Sequence, residues 1–184
     1  MRTLILNGSP HKNGDTAFLI QTLRQSLHGE VIEYRAYDAA VQPCVDCRSC
    51  MKTAGCCIQD AMQTIYADIQ AADHIVIASP VYFSELSGAL LAMLSRLQMY
   101  YAARRFLHTE LIDRPKTGAI LLCGGGDGSP EKAEKTAAIL LRFMRTTSVQ
   151  TVTSLQTDTV PAAQDAHSAA AVRALAAQWN NEQL

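Results

Sequence analysis

Leu4-Ile5-Leu6-Asn7-Gly8-Ser9-Pro10-His11-Lys12-Asn13-Gly14-Asp15-Thr16 is the stretch on which the reading of this chain turns. Three apolar residues in a row fit a short strand covered on both faces, and a turn of small and polar residues follows. Helical spacing then runs from Thr16 to Leu27. Two glycines relax the backbone of the turn, and Ser9 and Thr16 carry hydroxyls. The free N–H groups of the helix start would point at a bound anion, helped by the helix dipole. No Gly-Lys-Ser/Thr ending is present, so the lysine of a nucleoside-triphosphate loop is missing. Gly-x-Gly-x-x-Gly is missing too, which argues against a Rossmann dinucleotide site. A plain turn before a helix capped by Asp15 or Thr16 would read the same way.

Outward from this loop, apolar runs of strand length alternate with helical patterns. Val31–Tyr37 alternates and reads as a second strand near an edge, while Ile75–Ala78 and Ala119–Cys123 read as buried central strands. Val149–Leu155 is a weaker fifth strand, and helices are expected near 60–72, 87–104, 130–146 and 163–179. Such alternation means a parallel sheet with right-handed crossovers. No repeat or linker divides the 184 residues, so a single domain spanning 1–184 is expected. Ligands of these sheets bind beyond the carboxyl ends of the strands, near a topological switch point. Loops 8–16, 79–88 and 123–130 each follow a strand and should meet on that edge.

Ser79-Pro80-Val81-Tyr82-Phe83 leaves the third strand with aromatic surface and backbone N–H groups suited to a flat heterocycle. Cys123-Gly124-Gly125-Gly126-Asp127-Gly128 follows the fourth, and its glycines let backbone pass close to a planar ligand. The bland alternatives are core aromatics and an empty glycine loop.

Gly8-Ser9-Pro10, Gly14-Asp15-Thr16, Ser79–Phe83 and Gly88 together resemble the NADPH-dependent FMN reductase family, from residue 1 to about 145. The resemblance implies an α/β, flavodoxin-like three-layer sandwich with a five-stranded parallel sheet of order 2-1-3-4-5. It also implies FMN, with NADPH or NADH as reductant, and a homodimer or homotetramer. Ser9, His11, Asn13, Gly14, Asp15 and Thr16 would hold the FMN phosphate. Pro80, Val81, Tyr82 and Phe83, with Gly124, Gly125, Gly126 and Asp127, would face the ring. His11 stands where the family often has Arg, Asp15 where it has Asn, Ser95 where it has Asp and Leu91 where it often has Lys. A carboxylate beside a phosphate is unfavourable, so Asp15 should turn away and cap the helix.

Five of the six cysteines fall between Cys44 and Cys57. Cys44, Cys47, Cys50 and Cys56 have the spacing C-x2-C-x2-C-x5-C, which can aim thiolates at one iron–sulfur centre. This spacing resembles that of the iron–sulfur flavoproteins and allows a 4Fe–4S cluster. Zinc held by four thiolates and free, redox-labile thiols are the alternatives, and Cys57 has no assigned role. His28, His74, His108 and His167 lack ligand spacing and read as surface or capping residues. Arg104 and Arg105 end a helix, where they are solvated or attract a nucleotide phosphate.

Sixteen basic against seventeen acidic residues argue against nucleic acid or an anionic membrane as the partner. With no apolar run near the ~20 residues of a membrane span and no signal-peptide pattern at Met1–Ser9, the cytoplasm is expected. The expected function is passage of electrons from a nicotinamide through FMN to a small-molecule acceptor or redox protein, with no catalytic side chain. The competing readings are an electron carrier with a cluster at the cysteine block and a redox sensor with a vestigial flavin site.

Overall fold

A computed structural model describes residues 1–126 and 128–181. The elements are β1 (Arg2–Asn7), α1 (Asp15–Ser26), β2 (Glu30–Arg35), α2 (Met62–Ala71), β3 (His74–Tyr82) and β4 (Glu85–Leu86). After them come α3 (Gly88–Leu94), α4 (Gln98–Phe106), β5 (Lys116–Gly124), α5 (Glu131–Phe143), β6 (Thr146–Leu155) and α6 (Ala166–Asn181). The long strands lie in the order β2-β1-β3-β5-β6, all parallel, and β4 pairs antiparallel with β3. This is the flavodoxin-like order, with a short hairpin strand added to the five expected.

Period-2 alternation divides the core into two layers. Leu4, Leu6, Ile75, Ile77, Ile120 and Leu122 point to one face, against α2, α3, α4 and α5. Ile5, Val76, Ala78, Ala119, Leu121 and Cys123 point to the other, against α1 and α6. Both faces of the central strands are therefore apolar, which is why their sequences run without polar interruption. Trp179 anchors α6 in the second layer, with its ring stacked on His74 at 4.3 Å.

Three expectations are corrected. The single helix over 87–104 is two helices joined by a 3-10 turn at Ser95–Leu97. Ser95 Oγ donates back to Ala92 O at 2.6 Å, and the adjoining Arg96 is drawn inward, which together tighten the turn. The last strand begins at Thr146 rather than Val149, because α5 already ends at Phe143. His74 is buried, at 4% exposure, rather than at the surface. Much of the apolar content of 86–107, Met99 and Tyr100 included, belongs to this chain's own core, leaving Tyr101 and Phe106 exposed. Among the described residues no helix is long and apolar enough to cross a membrane.

Candidate functional site: the cleft at the strand ends and the thiol cavity

β1 lies between β2 and β3, so the crossovers diverge at β1 and leave a crevice at its carboxyl end. Gly8 N donates to Ala78 O at 2.7 Å, tying the first loop to β3. A side chain at Gly8 would run into Ser87 Oγ and Leu90, so only glycine permits this approach. Asn7 ends β1 as a buried polar residue that accepts from Ser9 N (2.7 Å) and donates to Glu33 (2.8 Å). Ser9 Oγ is used inside the loop, accepting from His11 N and donating to His11 O. Arg35, at the end of β2, donates to Pro10 O at 3.1 Å and pairs with Asp38. The loop is thus fastened from both neighbouring strands before any ligand is considered.

α1 starts at Gly14, in extended conformation, with no side-chain cap. Its first-turn N–H groups have no acceptor within the helix, so they remain available to an anion. Asp15 does not cap α1: its carboxylate accepts from Ala162 N at 2.7 Å. That bond spans 147 residues and holds the segment before α6 against the loop. Thr16 is buried beside Cys123, whose thiol pKa burial pushes up to about 12.

An open cleft of about 370 Å³ collects these parts. Ser9, His11, Gly14, Asp15 and Thr16 form one side, and Pro80, Val81 and Tyr82 another. Cys123, Gly125, Thr157 and Asp158 complete it. Asn13 lines an adjoining groove with Gly14 and Asp15. Phe83 lies outside both, fully exposed at the tip of the β3–β4 hairpin. Its φ of 53° and that of Ser84, 61°, are the pair of left-handed residues a two-residue type I′ turn demands. Gly124 and Gly126 do not line the cleft; their carbonyls accept from Thr157 N (3.0 Å) and Gln156 N (3.2 Å). A Cβ on Gly125 would sit 2.6 Å from the Asp158 carboxylate, so the glycines here serve close packing of 124–126 on 156–158. Asp127 lies outside the described residues.

Thr157 and Asp158 escaped the sequence reading, although the loop after the last strand ends on the same sheet edge as the other three. Arg104 is committed to Glu110 at 2.8 Å and to the Phe143 ring, while Arg105 lies exposed over the Phe106 ring.

The second assembly lies where the cysteine block crosses the α3–α4 junction. Cys44, Cys47, Cys50, Cys56 and Cys57 line one small cavity together with Arg96. Cys44 N donates to Ser95 Oγ at 2.9 Å. Arg96 has a fully buried side chain that donates to Asp60 (2.7 Å), Gln42 O (2.9 Å) and Ile58 O (3.2 Å), while its Nε has no partner. Burial works against ionisation of Asp60, but the Arg96 guanidinium and two backbone N–H bonds outweigh it and hold the carboxyl below its usual range. The Cys50 thiol is pushed up, first by burial and then by the neighbouring Cys56, Cys44 and Cys47. Cys47 is exposed, and the Ser49 N–H and the Cys57 thiol favour its thiolate. Among the described residues no three Cys, His, Asp or Glu side chains form a group that could hold a single metal ion.

Comparisons with known proteins bear on the family and the fold. An iron–sulfur flavoprotein of Methanocaldococcus jannaschii is 30% identical over 99 residues, 52% of this chain and 51% of that protein. The chain spans about half the length of the curated relatives it matches first. The FMN-dependent NADH-azoreductase of Bacillus anthracis, solved in complex with FMN, superposes with a TM-score of 0.69 at 16% identity, covering 98% of this chain and all of that one. The NAD(P)H:quinone oxidoreductase of Methanothermobacter marburgensis gives 0.72 at 14% identity, covering 100% and 98%. These two likenesses establish the fold. The family model for NADPH-dependent FMN reductase matches residues 1–159, a span that contains every cleft residue from Ser9 to Asp158. This chain belongs to the NADPH-dependent FMN reductase family.

Proposed function

We propose that the chain is an FMN-dependent NAD(P)H oxidoreductase that delivers electrons to a small-molecule acceptor or a redox protein. The observation that carries this is the uncapped N-terminus of α1 opening on a cleft walled by Pro80–Tyr82 and Gly125. A cleft of this volume lies within the range of small-molecule sites. The first-turn N–H groups of α1 would hold the cofactor's phosphate, with His11 beside them. Pro80, Val81 and Tyr82 would position the ring, and Gly125 leaves room for its approach. When bound, FMN supplies the hydride and electron chemistry, so no side chain need act as acid or base. The same reading expects a homodimer or homotetramer, supported by the exposed apolar surfaces of Phe83, Tyr101 and Phe106.

Gly14→Asp tests the cradle. Aspartate is a favoured N-cap, so the helix should keep or gain stability. Its charge would oppose a phosphate at the same amides, and FMN affinity should fall at least about tenfold, equivalent to roughly 1.4 kcal/mol. Flavin released from the parent protein should chromatograph as FMN. Unchanged affinity in Gly14→Asp, or release of FAD, would place the cofactor elsewhere.

A second reading, an electron carrier with a 4Fe–4S cluster at Cys44, Cys47, Cys50 and Cys56, is favoured by the thiol cavity. Four cysteine side chains line it with a buried guanidinium whose Nε lacks a partner, and an anionic cluster on their sulfurs would meet that positive charge. Anaerobic protein with about four irons per chain, lost in Cys47→Ser while FMN stays bound, would support it. Iron-free protein with unaltered NADPH oxidation in Cys47→Ser would discard it.

A further inference from the structure

Cys57 belongs to none of the assignments above, yet its Sγ lies 3.5 Å from Cys47 Sγ. Both side chains are exposed, whereas Cys44, Cys50 and Cys56 are half-buried. Cys47 stands between Asp46 and Arg48, whose φ angles of 49° and 61° both lie in the left-handed region that non-glycine residues rarely adopt. Arg48 pairs with Asp46 across it at 3.2 Å, closing a tight bend that presents the thiol outward. On the other side, Gly55, at φ 105°, turns the chain into the adjacent pair Cys56-Cys57. Gln63 Nε2 holds Cys56 O and Ile58 O, and Gln59 Nε2 donates to Cys57 O. Two bends thus bring one particular pair of thiols together at the surface, and no other thiol pair among the described residues is recorded in such contact. A disulfide needs about 2.05 Å between sulfurs. The remaining closure, near 1.5 Å, is within side-chain rotation in segments outside regular secondary structure.

We propose that Cys47 and Cys57 are a redox dithiol, a modification site at which a hydroperoxide is reduced and a Cys47–Cys57 disulfide is formed. The Cys47 sulfur attacks the peroxide, breaking O–O and forming S–O, and the departing oxygen leaves as water or alcohol with the thiol proton. Cys57 then attacks the Cys47 sulfenic sulfur, forming S–S and breaking S–O, and its proton leaves with the hydroxide as a second water. Two electrons pass from the thiol pair to the peroxide. The proposal needs neither the flavin nor a cluster. A Cys47 linked to Cys57 is removed from the set of four thiols, so oxidation would also control whether that set is available.

The test is peroxide treatment of the anaerobically purified full-length protein, with the flavin it retains, followed by non-reducing peptide mapping. One equivalent of tert-butyl hydroperoxide should consume two of the six thiols and yield the 47–57 cross-link. Dithiothreitol should restore both thiols. Cys57→Ser should give no cross-link and a Cys47 sulfenic acid that dimedone traps. Cross-links falling instead on Cys44, Cys50 or Cys56, or oxidation at an equal rate in a Cys47→Ser, Cys57→Ser double variant, would overturn the assignment. So would protein whose Cys47 is held by iron and whose Cys57 stays reduced under peroxide. Retained flavin absorbance and thermal midpoint in Cys57→Ser would show that the substitution left the fold intact.

Discussion

Arg96 is the residue on which the cysteine region hangs. Its guanidinium reaches Gln42 O and Ile58 O, one on each side of the block, and its charge is met by Asp60. Removing one partner of a buried pair leaves the other charge in a low-dielectric site without compensation. Asp60→Asn should therefore cost about 3–5 kcal/mol, read as a lower urea midpoint. It should also raise the rate of thiol labelling across Cys44–Cys57; a loss below about 1 kcal/mol would show that the pair is not what holds the block. At this scale the sequence showed which residue types were unusual but not their partners. Ser9, Gly14 and Thr16 stood out because a turn and a helix start are local patterns. Asn7 and Arg35 did not, because Asn7 meets Glu33 and Arg35 meets Pro10, in each case across more than twenty intervening residues.

The element whose local chemistry departs furthest from preference is the β3–β4 hairpin. A type I′ turn calls for Asn-Gly, and here Phe83 and Ser84 occupy the two left-handed positions. Non-glycine residues held there cost of order 1 kcal/mol each or more. Replacing the pair as Phe83→Asn with Ser84→Gly should raise stability by roughly 1–2 kcal/mol, measured by thermal unfolding of flavin-free protein. If stability falls instead, Phe83 is packed against something, such as a second copy of the chain, in solution. The same element shows why the aromatic pair was misjudged as a unit. Tyr82 still belongs to β3 and lines the cleft, while the tight turn sends Phe83 away into solvent. The helix expected at 87–104 was similarly legible in its apolar spacing, but not in its break at Ser95–Leu97, where Ser95 bonds back to Ala92 and Arg96 turns inward to Asp60.

At the scale of the whole molecule, the end of the sheet opposite the cleft carries a buried cation. Lys116 Nζ donates to Gln70 O and Ala72 O, and burial, with Arg114 adding like charge, lowers its pKa to about 8. In the unfolded chain it titrates near 10.5, so between these values the unfolded state binds more protons and stability rises with pH. The thermal midpoint should climb from pH 8 towards pH 9, where the Cys50 and Cys123 thiols, held above their usual range by burial, begin to oppose the rise, and Lys116→Met should flatten it. Above pH 10 the trend should reverse, because burial holds the Tyr34, Tyr66 and Tyr100 hydroxyls above their usual range. The succession of apolar strands and amphipathic helices, and the loop from Gly8 to Thr16, could be read directly, because periodicity and turn chemistry reside in neighbouring residues. The flavodoxin-like strand order came from the family resemblance that this loop and Ser79–Phe83 carry. Only the tertiary structure brought Thr157 and Asp158 to the cleft, closed Asp15 onto Ala162, and set Cys57 against Cys47. Those meetings depend on how packed layers bring distant loops together, and spacing along the chain carries no record of them.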